Sequence, residues 1–131
     1  MKLAVDLVIR RGDEFLFVVR KYEPFAGYLA LPGGFVEEDE SVEDAAIREL
    51  AEETDLHVTP DRLTMIGVFS KPDRDPRGRV VSVAYAAKVH PNATAVAGDD
   101  AKQTVWLSWE EAIIKPLAFD HREILNALPQ N

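Results

Sequence analysis

Three glutamates, Glu49, Glu52 and Glu53, stand at helical spacing near the middle of the chain. Positions i, i+3 and i+4 are neighbours on a helix, so the three carboxylates fall within a wedge of about 100°. Such a cluster can be an acidic helix face in water, with Arg48 relieving part of the repulsion through Glu52. It can equally be a site for a hard cation such as Mg²⁺. This ion takes oxygen ligands, and substrate phosphates commonly supply some of them.

The segment before these glutamates favours the cation site. Residues 32–40 begin with Pro32, Gly33 and Gly34 and end with four acidic residues. Glycine is the residue that lets the backbone approach another group closely. Ser41 can cap a helix over residues 41–54, because Asp44 three residues later completes a capping-box pattern. We therefore expect a glycine-containing loop that leads into the helix with the three carboxylates.

Gly34, Glu40 and residues 48–56 together resemble the Nudix box, Gly-x5-Glu-x7-Arg-Glu-U-x-Glu-Glu-x-Gly-U, in which U is a bulky apolar residue. The resemblance holds at every defined position except one, since Asp55 stands where the family has glycine. That glycine usually ends the helix in the left-handed conformation. Aspartate tolerates this conformation better than most residues, so we expect a modest loss of stability and an intact site.

The resemblance implies an α+β fold, namely an α/β/α sandwich with a mixed β-sheet between helices. It also implies Mg²⁺ as the cofactor, with Mn²⁺ as a substitute, and hydrolysis of a nucleoside diphosphate linked to a second group. The implied metal ligands are Gly34, Glu49, Glu52 and Glu53. Arg48 and Glu40 are implied as orienting partners, and Arg48 joins Glu49 and Glu52 in the catalytic set. Metal ions in such a site neutralise developing phosphate charge and lower the pKa of the attacking water.

A further acidic pair, Asp99 and Asp100, follows Gly98. In Nudix enzymes an acidic residue in a loop of roughly this location sometimes acts as general base. A carboxylate bonded to a cation has a depressed pKa and is a poor base, which favours a residue outside the box. Asp100 is preferred to Asp99 because it lies nearer the following strand, while Glu49 stays an alternative if it reaches the metal through water. The pair can also be only a Gly-Asp-Asp turn.

The segments around the box resemble the ADP-ribose pyrophosphatase branch of the family. They are residues 22–34, 70–78 and 118–121. Pro72, separated by fifteen residues from Leu56 at the end of the box, is a marker of that branch. The resemblance therefore predicts that a small molecule, ADP-ribose, is hydrolysed to AMP and ribose 5-phosphate.

The residues expected to contact this substrate are Arg20, Tyr22, Pro72, Arg74, Arg77 and Phe119. Arg74 and Arg77 can hold phosphate or ribose through forked hydrogen bonds. They can also be solvated loop arginines paired with Asp73 and Asp75. Four aromatic residues can either stack an adenine or belong to the core: Tyr22, Phe25, Tyr28 and Phe119. His121 is interpreted as structural, since it stands beside a predicted helix cap.

Two other functions remain open. A nucleoside triphosphate pyrophosphohydrolase of the housecleaning type would use the same box, but the loop at residues 72–78 weighs against it. An ADP-ribose sensor is a third interpretation, because similar domains form the ligand-binding half of some transcriptional regulators. Those regulators carry a C-terminal winged-helix domain, which the sequence does not show before Asn131, and the complete set of box carboxylates favours catalysis.

The remaining elements are read from apolar patterns and turn residues. Residues 3–10 and 15–19 predict a strand hairpin that turns at Gly12, and residues 28–31 form a short apolar run stopped by the glycine pair at 33–34. Further strands are predicted at 63–69, 80–89 and 104–107. Ser108 and Glu111 predict a capping box on a short helix before Pro116, and Asp120 with Glu123 predicts a cap on a helix over 124–128.

Composition excludes several classes of function. The 131 residues predict one domain, 1–131, and contain no cysteine, which removes disulfides, thiolate metal sites and thiol nucleophiles. The formal charge of −8 argues against a nucleic-acid partner, which requires clustered Lys and Arg. The three histidines are far apart in sequence, so a Ser-His-Asp triad has no support.

The chain shows neither a signal peptide nor an apolar stretch long enough to cross a membrane, so a cytoplasmic location is expected. Many relatives are homodimers, and the resemblance implies a homodimer here.

Overall fold

A mixed sheet carries the fold in the computed structural model, which describes residues 1–98 and 101–129. Its strands are β1 Lys2–Arg11, β2 Glu14–Arg20, β3 Leu29–Ala30, β4 Gly33–Phe35, β5 Thr64–Phe69, β6 Val80–Lys88 and β7 Ala101–Ser108. The helices are α1 Val42–Thr54, α2 Trp109–Ala112 and α3 His121–Asn126, with a short 3₁₀ helix at Pro60–Arg62. This order of strands, helix, strands and helices agrees with the sequence prediction.

β1 organises the sheet because it pairs with three other strands. Its C-terminal end pairs antiparallel with β2 across the Gly12 turn, with Arg11 opposite Glu14. Its N-terminal residues pair antiparallel with β4, with Asp6 opposite Gly33. Along nearly its whole length β1 also pairs in parallel with β6, which makes the sheet mixed. β1 and β2 therefore part from each other toward the end of the sheet that β4 completes.

Successive side chains of β1 point to opposite faces of the sheet, and helices cover both faces. The cluster on the first face contains Val5, Leu7, Ile9, Ala46 and Leu50, so it packs α1 on β1. The cluster on the second face contains Val8, Phe17, Ala112, Ile124 and Leu125, so it packs α2 and α3 on the sheet. The expected α/β/α sandwich is confirmed.

α1 begins and ends at the residues that the sequence identifies. The Ser41 hydroxyl oxygen accepts a hydrogen bond from the Asp44 backbone N–H at 3.1 Å. Asp55 ends the helix with φ 61° and ψ 18°, and its N–H donates to the Ala51 carbonyl. The left-handed conformation expected of Asp55 is therefore confirmed.

A loop after β6 covers the same end of α1. The N–H groups of Val96 and Gly98 donate to the carbonyls of Thr54 and Glu53, each at 2.9 Å. These contacts satisfy two of the carbonyls that every helix leaves without a partner at its C-terminus. The loop is thus anchored to the turn of α1 that carries Glu53.

Two local predictions are wrong. The glycine pair at 33–34 was expected in a loop but starts β4, because the neighbouring strand β1 supplies the hydrogen-bonding partner. The final helix spans His121–Asn126 rather than 124–128, and Asp120 makes no side-chain cap because its carboxylate binds Arg74.

The capping box of Ser108 and Glu111 on α2 is confirmed. No helix within the described ranges is long and apolar enough to cross a bilayer.

Candidate functional site

A cavity of about 380 Å³ lies between the diverging strands β1 and β2, a volume in the range of small-molecule sites. β1, β2, β4, α1 and the segments at 74–77 and 119–121 all contribute to its wall. The predicted site residues in that wall are Arg20, Tyr22, Gly34, Glu49, Glu53, Arg74, Arg77 and Phe119. Arg48, Glu52 and Pro72 are outside the wall, so the structure does not bring all the predicted residues together.

Glu49 and Glu53 reach the cavity from α1 and meet the backbone of β4 there. The carboxylate of Glu49 lies directly against Gly34, so a Cβ atom at Gly34 would overlap it. The Gly33 N–H donates a hydrogen bond to Glu53 Oε1 at 3.3 Å. The two glycines therefore permit a close approach of α1 carboxylates to a strand backbone, which a side chain at Gly34 would block.

Arg48 ties this row of carboxylates to the loop that precedes α1. Its Nη2 and Nε donate to the two Glu40 oxygens at 2.6 and 3.0 Å, and Nη2 also donates to the Phe35 carbonyl at 3.1 Å. Its Nη1 donates to Glu49 at 2.9 Å and to Glu52 at 3.2 Å. The fork from Arg48 lowers the pKa of Glu40 to about 2, because these hydrogen bonds favour the ionised carboxylate. The contacts are those an orienting pair would make, and the catalytic role of Arg48 stays a prediction.

The donor set at this end of the cavity suits a hard divalent cation. The carboxylates of Glu49 and Glu53 and the backbone of Gly34 offer oxygen atoms, which Mg²⁺ and Mn²⁺ prefer. Across residues 1–98 and 101–129, however, no three Asp, Glu, His or Cys side chains already converge as a metal-binding group. The side chain of Glu52 is 59% exposed and turns to Arg48. Glu52 as a third carboxylate ligand stays a prediction.

A second group in the cavity wall combines two arginines with aromatic rings. The Arg20 guanidinium lies 4.9 Å from the centre of the Phe119 ring. The Arg77 guanidinium lies 5.5 Å from the same ring and 5.4 Å from the ring of Phe35. Burial and the nearby charge of Arg77 lower the pKa of Arg20. Guanidinium groups over aromatic faces offer both anion-binding donors and flat stacking surfaces.

Within its loop, the side chain of Arg77 is oriented by Asp75. The buried Asp75 carboxylate accepts from the Arg77 backbone N–H at 2.9 Å, from Nε at 3.1 Å and from Nη2 at 2.8 Å. Burial would raise the pKa of Asp75, but the hydrogen bonds and charge of Arg77 hold it below its ordinary value. Arg77 is thus paired with Asp75, as one alternative predicted, and it also lies in the cavity wall.

Arg74 differs from Arg77 because its side chain is only 4% exposed. Its Nε and Nη2 donate to the two Asp120 oxygens at 2.9 and 2.7 Å, and Nη2 lies 3.5 Å from Asp6 Oδ2. The alternative of a solvated arginine paired with Asp73 is therefore wrong for Arg74. Burial would lower its pKa, but Asp120 and Asp6 raise it. A direct contact of Arg74 with substrate stays a prediction.

A buried carboxylate on β1, Asp6, connects Arg74 to His121 and Ser82. Ser82 Oγ donates to Asp6 Oδ2 at 2.6 Å, and His121 Nε2 lies 3.2 Å from Asp6 Oδ1. The Leu31 N–H donates to His121 Nδ1 at 2.9 Å, which makes Nε2 the ring nitrogen that donates to Asp6. Burial would raise the pKa of Asp6, but His121, Ser82 and Arg74 together hold it below its ordinary value.

The aromatic residues divide between the cavity and its support. Tyr22 lies in the wall and is 57% exposed, whereas Tyr28 is outside the wall. The rings of Phe25 and Phe119 meet edge to face at 4.9 Å. Both residues have left-handed backbones, with φ of 65° and 52°, a conformation that is rare for bulky side chains. Phe119 is thus the aromatic residue that the structure places beside both arginines.

Asp6, Phe35, Asp75 and His121 are among the wall residues that the sequence does not predict for the site. An aspartate inside an otherwise apolar strand was the available signal for Asp6, since buried carboxylates are rare without partners. Phe35 and Asp75 carried no comparable signal. Asp99 and Asp100, predicted as candidate bases, lie outside the described residues, and their role stays a prediction.

Comparison with known proteins gives concordant matches. The NUDIX domain family model matches residues 1–128. A curated ADP-ribose pyrophosphatase of Methanocaldococcus jannaschii is 44% identical over 123 residues, covering 94% of this chain and 70% of the relative. The ADPR responsive transcriptional repressor NtrR of Acinetobacter baylyi is 33% identical over 129 residues, and the chain spans only 51% of its length.

Two solved structures are similar over nearly the whole chain. The NUDIX domain of Shewanella oneidensis NrtR, crystallised with ADP ribose, has a TM-score of 0.87 at 31% identity, covering 97% of this chain and 85% of that one. A bifunctional NMN adenylyltransferase/ADP ribose pyrophosphatase of Francisella tularensis, complexed with AMP and a Mn ion, has a TM-score of 0.84 at 35% identity. The match covers 95% of this chain but only 40% of that protein.

Proposed function

Because the chain belongs to the Nudix hydrolase family, we propose that it hydrolyses the pyrophosphate bond of ADP-ribose and releases AMP and ribose 5-phosphate. The proposal includes Mg²⁺ as the cofactor, with Mn²⁺ as a substitute. It also includes a homodimer, which the family resemblance implies.

The observation that carries the proposal is the joint placement of two unlike groups in one cavity. Glu49, Glu53 and Gly34 present oxygen atoms, while Arg20 and Arg77 present positive charge beside the Phe119 ring. ADP-ribose is a diphosphate with a flat purine at one end, so anion-binding donors and an aromatic surface suit its binding, and a cation suits its cleavage. The sequence identity with the M. jannaschii relative, which carries the name ADP-ribose pyrophosphatase, supports the same substrate.

The protein's own side chains would divide the work of the reaction. Mg²⁺, when bound, neutralises phosphate charge and makes water more acidic. Glu49, Glu53 and the Gly34 carbonyl would hold it, with Glu52 as the further predicted ligand, while Arg48 keeps the carboxylates in register through Glu40.

The substrate would be held by the other group. Arg77 and Arg20 would donate to the phosphate or ribose oxygens, and Phe119 and Tyr22 would stack the adenine. Asp100, Asp99 or Glu49 would accept the proton of the attacking water. Pro72 lies outside the cavity wall, so we assign it to the shape of the loop and not to a contact.

The decisive experiment is a product assay of the purified chain with Mg²⁺ across ADP-ribose, NADH, sugar nucleotides and nucleoside triphosphates. We expect the highest kcat/KM for ADP-ribose, with AMP as a chromatographic product. The Glu53→Gln variant, purified in the same way, controls for a contaminating hydrolase. A preference of tenfold or more for triphosphates or NADH would contradict the substrate and leave the family assignment intact.

A sensing function is the second candidate, and two similarities favour it. The A. baylyi relative is named as an ADPR responsive repressor, and the S. oneidensis domain was crystallised with ADP ribose. A sensor would bind ADP-ribose without turning it over. Calorimetric binding combined with no AMP release in the presence of Mg²⁺ would favour sensing over hydrolysis.

A further inference from the structure

We propose that Arg74 and Asp120, locked to the sheet through Asp6 and His121, are positioning residues that fix Arg77 and Phe119 at the cavity. They would set the affinity for substrate and leave the hydrolytic step almost unchanged. The inference rests on the proposed function, because it takes Arg77 and Phe119 as the residues that hold the nucleoside diphosphate.

The two side chains that need positioning stand outside helices and strands. Arg77 belongs to the loop between β5 and β6, and Phe119 to the segment before α3. Neither Arg77 nor Phe119 lies in a strand, and the segment of Phe119 is joined to β3 only at the isolated bridge between Leu117 and Leu29. A binding residue on a loop depends on a rigid scaffold for its position.

A buried fork joins these two segments. The Arg74 guanidinium and the Asp120 carboxylate are 4% and 9% exposed, and two nearly parallel hydrogen bonds of 2.9 and 2.7 Å connect them. A bidentate arginine–carboxylate pair fixes orientation as well as distance, unlike a contact from a lysine. Arg74 is three residues from Arg77, and Asp120 directly follows Phe119. The fork therefore sets the spacing between the two substrate-facing side chains.

The fork is in turn fastened to the centre of the sheet. Asp6 on β1 meets Arg74, Ser82 of β6 and His121 of α3, while the Leu31 N–H closes the far side of the His121 ring. Every buried side-chain nitrogen and oxygen in the described part of the chain has a hydrogen-bond partner. Such a fully satisfied network holds its members in one arrangement.

The backbone conformation of Phe119 is independent evidence that the surrounding structure fixes its position. Its φ of 52° is left-handed, and a bulky residue keeps that conformation only where its surroundings determine it. The neighbours on both sides are fixed, since the Ala118 N–H donates to the Leu29 carbonyl at 2.8 Å and Asp120 is held by Arg74. The network thus holds a backbone that would otherwise relax.

The chain offers a matched control for the fork. Lys71 and Glu123 form a 2.9 Å ion pair between the same loop and α3, but their side chains are 66% and 50% exposed. Such a solvated pair contributes little to either stability or orientation. Lys71→Ala should therefore leave both KM and kcat unchanged.

The test uses Arg74→Lys, which keeps the charge and loses the fork, and Asp120→Asn as a second variant of near-identical shape. We expect KM for ADP-ribose to rise by about tenfold or more with kcat changed by less than about threefold. ADP-ribose affinity, measured by calorimetry in EDTA to prevent turnover, should fall by the same factor. Circular dichroism melts of each variant establish that the protein is folded at the assay temperature.

A double-mutant cycle separates positioning from a general loss of structure. If Arg74 acts through Arg77 and Phe119, the rise in KM caused by Arg74→Lys should be clearly smaller in the Arg77→Ala background than in the wild type, and absent in a background that carries both Arg77→Ala and Phe119→Ala. Additive effects, a fall in kcat at unchanged KM, or an equal effect from Lys71→Ala would each overturn the proposal. Should ADP-ribose prove not to be the substrate, the same cycle is run on the best diphosphate of the panel, so the two proposals fail separately.

Discussion

At the scale of single residues, the three glutamates of α1 that belong to the Nudix box are held in different ways. Glu49 lies against Gly34, Glu53 accepts from the Gly33 N–H, and Glu52 is exposed beside Arg48. Glu49 and Glu53 are therefore set by the strand beneath them, whereas Glu52 is set by its own helix. The three carboxylates therefore differ in the contacts that hold them, although the same role is predicted for all three.

Glu53→Gln and Glu52→Gln should each lower kcat by at least about a hundredfold, because each removes a charged oxygen donor for the cation that stabilises the transition state. Both proteins should remain folded, since the substitutions relieve repulsion between like charges on one helix face. The measurements are kcat at saturating Mg²⁺ and thermal unfolding. Asp44→Asn, an exposed acid on the same helix, is the control and should retain kcat. Full activity in both variants would refute the metal-site assignment.

The contribution of Glu40 to the free energy of unfolding should depend on pH. Its pKa in the folded protein is about 2, below its usual value of 4.5, so the Arg48 fork stabilises the fold only while Glu40 is ionised. The contribution is complete above pH 4.5 and is lost as pH falls toward 2. The difference in unfolding free energy between wild type and Glu40→Gln, from urea titrations, should therefore be constant above pH 4.5 and shrink below it. Glu38→Gln, an exposed neighbour, is the control, and a difference that is independent of pH would contradict the assignment.

At the scale of elements, β4 matters because its two glycines face different neighbours. A Cβ at Gly34 would overlap the end of a movable side chain, Glu49, whereas a Cβ at Gly33 would overlap the backbone carbonyl of Val5. The strand therefore depends on Gly33 for its pairing with β1 and on Gly34 for the position of a carboxylate.

Gly34→Ala should fold with little change in thermal stability but lose most of its kcat, because Glu49 has to move. Gly33→Ala should instead lower the midpoint of thermal unfolding, because a strand backbone cannot yield in the same way. Unfolding curves and kcat at saturating Mg²⁺, measured on the pair, test both statements. If the two variants lost equal stability, Gly34, like Gly33, would be needed only for the pairing of β4 with β1.

The C-terminus of α1 departs from the family at Asp55. An L residue in the left-handed conformation is strained by roughly 1 kcal/mol, and glycine is not. Asp55→Gly should therefore raise the free energy of unfolding by about 0.5–1 kcal/mol at unchanged kcat. Asp55→Ala should lower it, because alanine lacks the local hydrogen bonds that help aspartate adopt this conformation. Urea denaturation of the wild type, Asp55→Gly and Asp55→Ala tests both expectations. A lower free energy of unfolding for Asp55→Gly would show that the Asp55 side chain itself stabilises the end of the helix.

At the scale of the whole molecule, the resemblance predicts two copies of the chain. β5 lies at one edge of the sheet and exposes Met65 and Val68 by 54% and 58%, a surface that edge strands usually protect. Light scattering after size exclusion should give twice the mass of one chain. Val68→Lys should lower that mass if β5 carries the contact, while Val96→Lys, at an exposed loop position, should not. A single-chain mass for the wild type at micromolar concentration would contradict the homodimer.

The sequence predicts best those features whose determinants are close together in the chain. The bounds of α1, the Asp55 conformation and the capping box of α2 follow from residues a few positions apart. β4 was missed because its glycines pair with a strand almost thirty residues earlier. The partner of Arg74, Asp120, is 46 residues away, and no local pattern identifies it. The nearness of Glu49 to Glu53 on α1 was thus predictable, whereas the anchoring of the loop at 72–78 required the structure.

β1 carries α1 on one face and the Asp6 network on the other. Under the proposed function, the carboxylates that would hold the metal come from one side of this strand, the residues that would hold the substrate come from the other, and the two sets meet at one cavity. Substitutions at 72–78 or 118–121 would change which molecule is held and leave unchanged the α1 carboxylates that would hold the metal. Conversely, loss of one glutamate would leave the recognition half intact. With such a division, a few changes on one side would alter the ligand, or leave a domain that binds its ligand without cleaving it.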